Sequence, residues 1–162
     1  MIIQPICHIG VDPGLTGGLV ALTANDIIMK IMPTVKVGKR NQIDEKAVAD
    51  WLCPFVDHLT RIYIELVHAM PKQGVVSMFT FGTGWGLVRG ICTGLGLSYE
   101  LVRPQEWKKA VLIGQPKGSE YLVASRLWPN VEWLASKRCK KPHDGLVHAA
   151  LIAEYGRRIE RG

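Results

Sequence analysis

Apolar residues at the start of the chain fall in short blocks of strand length. Residues 2–11 read as one buried strand, 17–23 as a second and 27–32 as a third, with Ala24, Asn25 and Asp26 as the turn between the last two. The period then becomes helical: behind Asp44, an N-cap residue, Ala47, Val48, Trp51, Leu52 and Phe55 recur on one face. The β-branched run over 61–66 predicts a fourth strand, a glycine-rich helix follows from about Ser77, and a fifth strand spans 98–102. Helices are expected near 105–112 and 118–128, and a last one from about His143 to Arg158. Strands first in a meander and then alternating with helices predict an α/β fold with a mixed sheet.

Composition narrows the class. At 162 residues and 48% hydrophobic, the chain suits one domain over residues 1–162 with a sizeable core. No leader-like segment opens it, and no uninterrupted apolar stretch is long enough to span a bilayer, so a soluble protein without membrane partners is expected. Cys7, Cys53, Cys92 and Cys139 are scattered without a CxxC pair, which favours a reducing compartment over a disulfide framework.

Charge is more telling by position. Residues 1–102 carry eight basic and eight acidic residues, 142–162 three of each, and 103–141 nine basic against three acidic, so the whole net charge of +6 lies in one segment. A local basic excess suits contact with a nucleic-acid backbone, against the plainer alternative of a solvated surface.

Three clusters carry candidate chemistry. In "IGVDPGLTGG" (9–18) an apolar strand ends on Asp12 and turns through glycines. A carboxylate at the carboxyl end of a central strand sits where α/β folds bind ligands, although a turn aspartate is the simpler reading of Asp-Pro-Gly alone. Glu65 falls near the end of the strand at 61–66. Two acids on neighbouring strand ends repel each other unless a cation lies between them, which asks for Mg²⁺ or Mn²⁺. Asp144 and His148, four apart at the start of the last helix, share a face and can complete such a site. The alternative makes Asp144 a first-turn acid favoured by the helix dipole and His148 a core histidine.

Taken in order, "GVDPGLTGG", "IELVHAMPKQG", "LVRPQEWKKAV", "PKGSEYLVASRLWP" and "HDGLVHAALIA" resemble the RuvC-type Holliday junction resolvases of the RNase H-like superfamily, the compact phage-type members above all. The resemblance implies an RNase H-like fold, a central mixed five-stranded sheet flanked by helices. It implies a crossover junction endodeoxyribonuclease: a homodimer in the cytoplasm of a bacterial or phage-infected cell, cutting four-way and other branched DNA with two Mg²⁺ or Mn²⁺ ions per site. Carried over by residue, Asp12, Glu65 and Asp144 bind metal. His148 stands where the family usually has an acid, with His143 as an alternative fourth ligand. Imidazole suits Mn²⁺ better than Mg²⁺. Lys117 matches a lysine used near the scissile phosphate.

DNA contact is expected from Arg103, Lys108, Lys109, Lys117, Lys137, Arg138, Lys140 and Lys141, and from Lys72 and Gln73 in the loop after Glu65. His68, with Met70 nearby, stands where relatives carry an aromatic wedge. Trp107, set among basic residues, reads either as core or as a base-stacking group. Gly82, Gly86, Gly90 and Gly94 recur every four residues on one helix face at a cost of about 1 kcal/mol each relative to alanine. That spacing suits tight packing of helix on sheet or approach of a partner subunit.

Rival readings remain open. Actin-like ATPases and sugar kinases use a related strand-end turn but need two such domains, so no nucleotide cofactor is expected. A junction-binding protein without cleavage, and a related nuclease acting on RNA or on general branched DNA, also fit the motifs. Zinc half-sites at Cys53/His58 and Cys139/His143 are weaker, because Cys53 reads as core.

Overall fold

A computed structural model describes residues 7–56, 59–66, 68 and 74–162 of the chain. The proposed strand residues 2–6, His58, Met70, Lys72 and Gln73 therefore lie outside the described residues.

The first apolar block forms β1 (Cys7–Asp12), which runs antiparallel to β2 (Gly18–Leu22), and β2 in turn pairs antiparallel with β3 (Ile27–Ile31). The run at 61–66 becomes β6 (Thr60–Glu65), parallel to β1, and β7 (Tyr99–Val102) is parallel to β6. The sheet order β3-β2-β1-β6-β7 makes the mixed five-stranded sheet that the resemblance implies. A second, two-stranded ribbon, β4 (Thr34–Val37) with β5 (Arg40–Ile43), was not foreseen, because every residue of it except Ile43 is exposed and it has no buried face to give a pattern.

Helices cover both faces. One layer is α1 (Glu45–Leu52), capped by Asp44 and ended before Pro54, together with α2 (Val75–Gly94). Ile9, Val11, Ile62 and Ile64 point into this layer, among Val48, Leu52, Val88 and Cys92. The other layer holds α3 (Pro104–Val111), α4 (Glu120–Leu127) and α5 (Asp144–Arg161), packed on Val20, Leu22 and Tyr63. Helix α5 lies directly on β1. A side chain at Gly10 would run into the backbone of Ala149 and Ala153, so glycine is required for that approach.

Three expectations need correction. Cys53 is exposed in a short 3₁₀ turn after α1 instead of lying in the core. The face bearing Gly82, Gly86, Gly90 and Gly94 does not pack on the sheet, because a Cβ at any of the four would meet nothing within 4 Å among the described residues. Helix α2 is also long and apolar enough to cross a membrane by length and composition, although Val88 and Cys92 belong to the core beside the sheet.

Candidate active site

Strand alternation explains how two acids meet. Along β1 the odd residues Ile9 and Val11 face α1 and α2, and along β6 the even residues Ile62 and Ile64 do the same. Asp12 and Glu65, each one residue further on, therefore face the opposite layer. The parallel register pairs Val11 with Ile64, so the two carboxylates stand side by side at the carboxyl edge of adjacent strands.

Asp12 is held by its own turn: the Gly14 N–H donates to Oδ1 at 3.3 Å. Its Oδ2 lies 3.7 Å from Nδ1 of His148 on α5. Helix α5 reaches this place because its first turn rests on the turn after Asp12, where Gly145 sits against Thr16 and Gly17 with no room for a Cβ. Glu65 accepts a hydrogen bond at 2.9 Å from the indole Nε1–H of Trp107, a fully buried residue of α3. The same ring lies 5.7 Å from His148, centroid to centroid, with Lys108 Nζ 5.2 Å above it.

Electrostatics bind these groups together. Burial pushes the Glu65 carboxyl above its ordinary range, and the neighbouring Asp12 charge adds to that rise, while Trp107, His148 and Lys108 oppose it. His148 moves upward as well, chiefly through its contact with Asp12 and against the effect of burial. Lys108 reaches Glu120, the first residue of α4, at 3.2 Å. Burial would raise Glu120, but its backbone hydrogen bond and Lys108 outweigh that and hold it low.

The structure thus joins Asp12, Glu65 and His148. Asp144 is exposed one turn before His148, and among the described residues no hydrogen bond or ion pair ties it to the other three. His143 is the N-cap of α5, its Nδ1 accepting from Leu146 N–H at 3.2 Å, so it has a structural task of its own. Trp107 and Glu120 belong to the site and were not read as such from sequence. For Trp107 the signal was its place beside Lys108, but only the fold puts the indole next to Glu65.

Among the described residues no three His, Cys, Asp or Glu side chains close to the spacing of a bound ion. The chemistry of the donors nevertheless suits a hard divalent cation. Two carboxylates stand side by side on rigid strand ends, and beside the larger effect of burial the Asp12 charge adds to the proton affinity of Glu65, a repulsion that a cation would relieve. Among the described residues the second oxygens, Asp12 Oδ2 beside His148 and Glu65 Oε2, accept no hydrogen bond from the backbone or the indole.

No protein-family model matches the chain, and no curated protein matches it at a significant level. Solved structures do match in three dimensions. A Thermus thermophilus RuvC structure superposes with a TM-score of 0.58 at 15% identity, covering 93% of this chain and 95% of that one. The structure of T. thermophilus RuvC in complex with Holliday junction substrate gives 0.60 at 16% identity, covering 95% and 96%. The fold is RuvC-like. On the RuvC-like sheet the candidate site occupies the carboxyl edge of the two central strands.

The remaining predicted residues distribute around that edge. Arg103 begins α3 directly after β7, its N–H bonded at 3.0 Å to Glu106, and Lys109 is exposed on the same helix. Lys117 is exposed in the turn before α4. Lys137, Arg138, Lys140 and Lys141 are exposed in the segment enclosed by the Leu134–Pro142 bridge, immediately before α5. His68 is exposed beyond Glu65. Cys139 contacts Ser136 at 3.4 Å and joins no metal-binding group among the described residues.

Proposed function

We propose that the chain is a divalent-metal-dependent, structure-selective endonuclease that cuts branched DNA, four-way junctions foremost, by paired nicks as a homodimer. The observation that carries this reading is the pairing of Asp12 with Glu65 on adjacent strand ends, faced by His148 from α5. That arrangement stands on a RuvC-like sheet, and one of the matching structures is RuvC in complex with Holliday junction substrate.

In this reading Asp12, Glu65, His148 and Asp144 hold the ions; Asp144 stands one turn from His148 on the same helix. When bound there, two divalent ions, Mg²⁺ or Mn²⁺, would supply Lewis acidity, lowering the pKa of a water that attacks phosphorus and offsetting charge on the leaving 3′ oxygen. The chain's own groups do the rest. The Gly14 N–H and the Trp107 indole each fix one carboxylate, so the ligands need little reorganisation. Lys108, held between Glu120 and the indole face, offers positive charge beside the carboxylates where a phosphate would enter. Lys117 adds an exposed cation from the turn before α4. The exposed basic segments before α5 and around α3 bear on the DNA backbone. Dimerisation is supported by the exposed, apolar α2 face with Val75, Val76, Phe79 and the four open glycines, and two symmetric cuts call for a two-fold assembly. Such an enzyme would serve recombination and repair.

The deciding experiment is cleavage of a labelled mobile four-way junction beside linear duplex of the same sequence, in Mg²⁺, Mn²⁺ and EDTA, with Asp12→Asn as control. Paired symmetric nicks on the junction alone, abolished by EDTA and by the substitution, are expected. Tight junction binding without nicks in either metal would turn the reading toward a binding protein.

A further inference from the structure

The segment Thr34 to Ile43, "TVKVGKRNQI", holds Lys36, Lys39 and Arg40 and no acid. The even charge balance of residues 1–102 conceals this cluster, because the compensating acids lie elsewhere in the chain. In the structure the segment is the β4–β5 ribbon, turned at Gly38 with φ 61°. Every ribbon residue except Ile43 is exposed, Val35 and Val37 at 42% and 52%. Among the described residues none of the three cations has an ion pair. Ile43 is the anchor: its Cδ1 lies 2.8 Å from where a Cβ on Gly84 of α2 would stand. An isolated two-stranded ribbon is marginal in water, and this one carries like charges with no acid of its own to offset them.

Topology places the ribbon at the site. β3 ends beside the start of β2, since Gly18 pairs with Ile31, and the start of β2 pairs with Asp12. Met32 N–H then bonds to Gly17 O at 3.1 Å, and Asp44 N–H returns to Pro33 O at 2.9 Å, so both ends of the ribbon are pinned to the carboxyl edge of the sheet. β3 and β7 are opposite edge strands. Arg103 and Lys108 follow β7, so the two basic groups flank the carboxylates. The edge strands β3 and β7, from which the ribbon and Arg103 follow, are four strand spacings apart, roughly 19 Å, close to the width of a duplex.

We propose that the β4–β5 ribbon is a second DNA-binding surface, contacting backbone phosphates through Lys36, Lys39 and Arg40 on the side of the site opposite α3. A two-stranded ribbon has the right cross-section to enter a major groove, and the charge complementarity is with phosphate. This inference rests on the proposed nuclease reading. An anionic lipid surface would also attract the cations, but the ribbon's roots at the carboxylate edge favour a substrate passing over that edge.

The test compares the full chain with Lys36→Gln/Lys39→Gln/Arg40→Gln, measuring four-way-junction affinity across a potassium chloride series. Every phosphate that is no longer neutralised should flatten the slope of log affinity against log salt by about 0.9, hence by up to about 2.7 for three. Turnover at saturating junction should be unchanged. The charge-preserving variant Lys36→Arg/Lys39→Arg/Arg40→Lys should keep the wild-type slope. A parallel Arg103→Gln/Lys108→Gln/Lys109→Gln variant separates the two ideas. If it flattens the slope and the ribbon variant does not, the ribbon inference falls while the nuclease reading stands. If the wild type binds no junction, both fall. Ribbon-dependent binding to phosphatidylglycerol vesicles, with the DNA slope untouched, would overturn the inference in favour of a membrane contact.

Discussion

At the scale of single residues, Trp107 is the group whose removal tells most. Its indole donates to Glu65 and its ring borders His148, so one buried side chain bears on two candidate ligands from two elements. Trp107→Phe keeps an aromatic ring in the core and deletes the donor. Hydrogen bonds to charged groups contribute about 1.5–3 kcal/mol, and partners behind a metal ligand commonly affect ion affinity roughly 10- to 100-fold. We expect Trp107→Phe to remain folded by circular dichroism yet bind Mn²⁺ on the order of 10-fold more weakly by calorimetry; unchanged affinity would leave the indole only a packing role. His148 makes a complementary case. Its imidazole stands beside Asp12 and offsets the acidic pair. His148→Asp adds a third carboxylate at the same place, so the melting temperature in EDTA should fall by several degrees, about 2–4 °C per kcal/mol for a chain of this size. Mg²⁺ should restore more of that stability in the variant than it adds to the wild type. Equal shifts on adding Mg²⁺ would show that no ion lies near His148.

At the scale of elements, a second polar cluster closes the far end of the sheet. His8 on β1 and Tyr63 on β6 both meet Glu160 near the end of α5, at 3.1 Å and 2.7 Å. His8 is buried, and burial depresses its pKa below 6.5; Glu160 pulls it upward, while Arg157 and Arg161 on α5 add to the depression. A histidine whose folded pKa lies below its unfolded value binds fewer protons when folded. Its contribution is therefore intact above about pH 6.5 and is lost as pH falls through that value toward the folded pKa. The urea midpoint of the wild type should drop between about pH 7.5 and 5.5 more steeply than that of His8→Gln, whose amide can still donate to Glu160. Parallel slopes would place the acid sensitivity elsewhere. The same strands show what was legible beforehand. Short apolar and β-branched blocks revealed β1, β2 and β6 and put acids at two strand ends, because these strands bury residues on both faces of the sheet. The β4–β5 ribbon was hidden because its order comes from a turn at Gly38 and one anchor at Ile43 instead of a buried face. The Trp107 contact was equally hidden, since sequence spacing does not say which buried indole nitrogen meets which carboxylate across 42 residues. Asp144 and His148 were correctly placed on one helix, yet only His148 reaches Asp12. The first turn of α5 leaves Asp144 facing solvent.

At the scale of the whole molecule, α2 poses the remaining problem of assembly. Glycine inside an exposed helix costs about 1 kcal/mol relative to alanine, so Gly82, Gly86 and Gly90 together cost on the order of 3 kcal/mol with nothing among the described residues to require them. The same helix exposes Val75, Val76 and Phe79 at its start. A face that is both apolar and stripped of side chains suits close approach of another helix, and a homodimer cutting two strands symmetrically would supply one from its partner. The competing account is that the glycines are merely tolerated. Gly82→Ala/Gly86→Ala/Gly90→Ala separates the two, because the added methyl groups meet open space among the described residues of one chain. If the face is free, the triple variant should be more stable at every concentration and sediment as the wild type does. If two copies pack there, the variant should be more stable only when dilute and monomeric. Its dimer dissociation constant should rise by about 10-fold or more by sedimentation equilibrium, and junction cutting should shift from paired to single nicks. Paired nicking by a variant that stays dimeric would move the subunit contact away from α2.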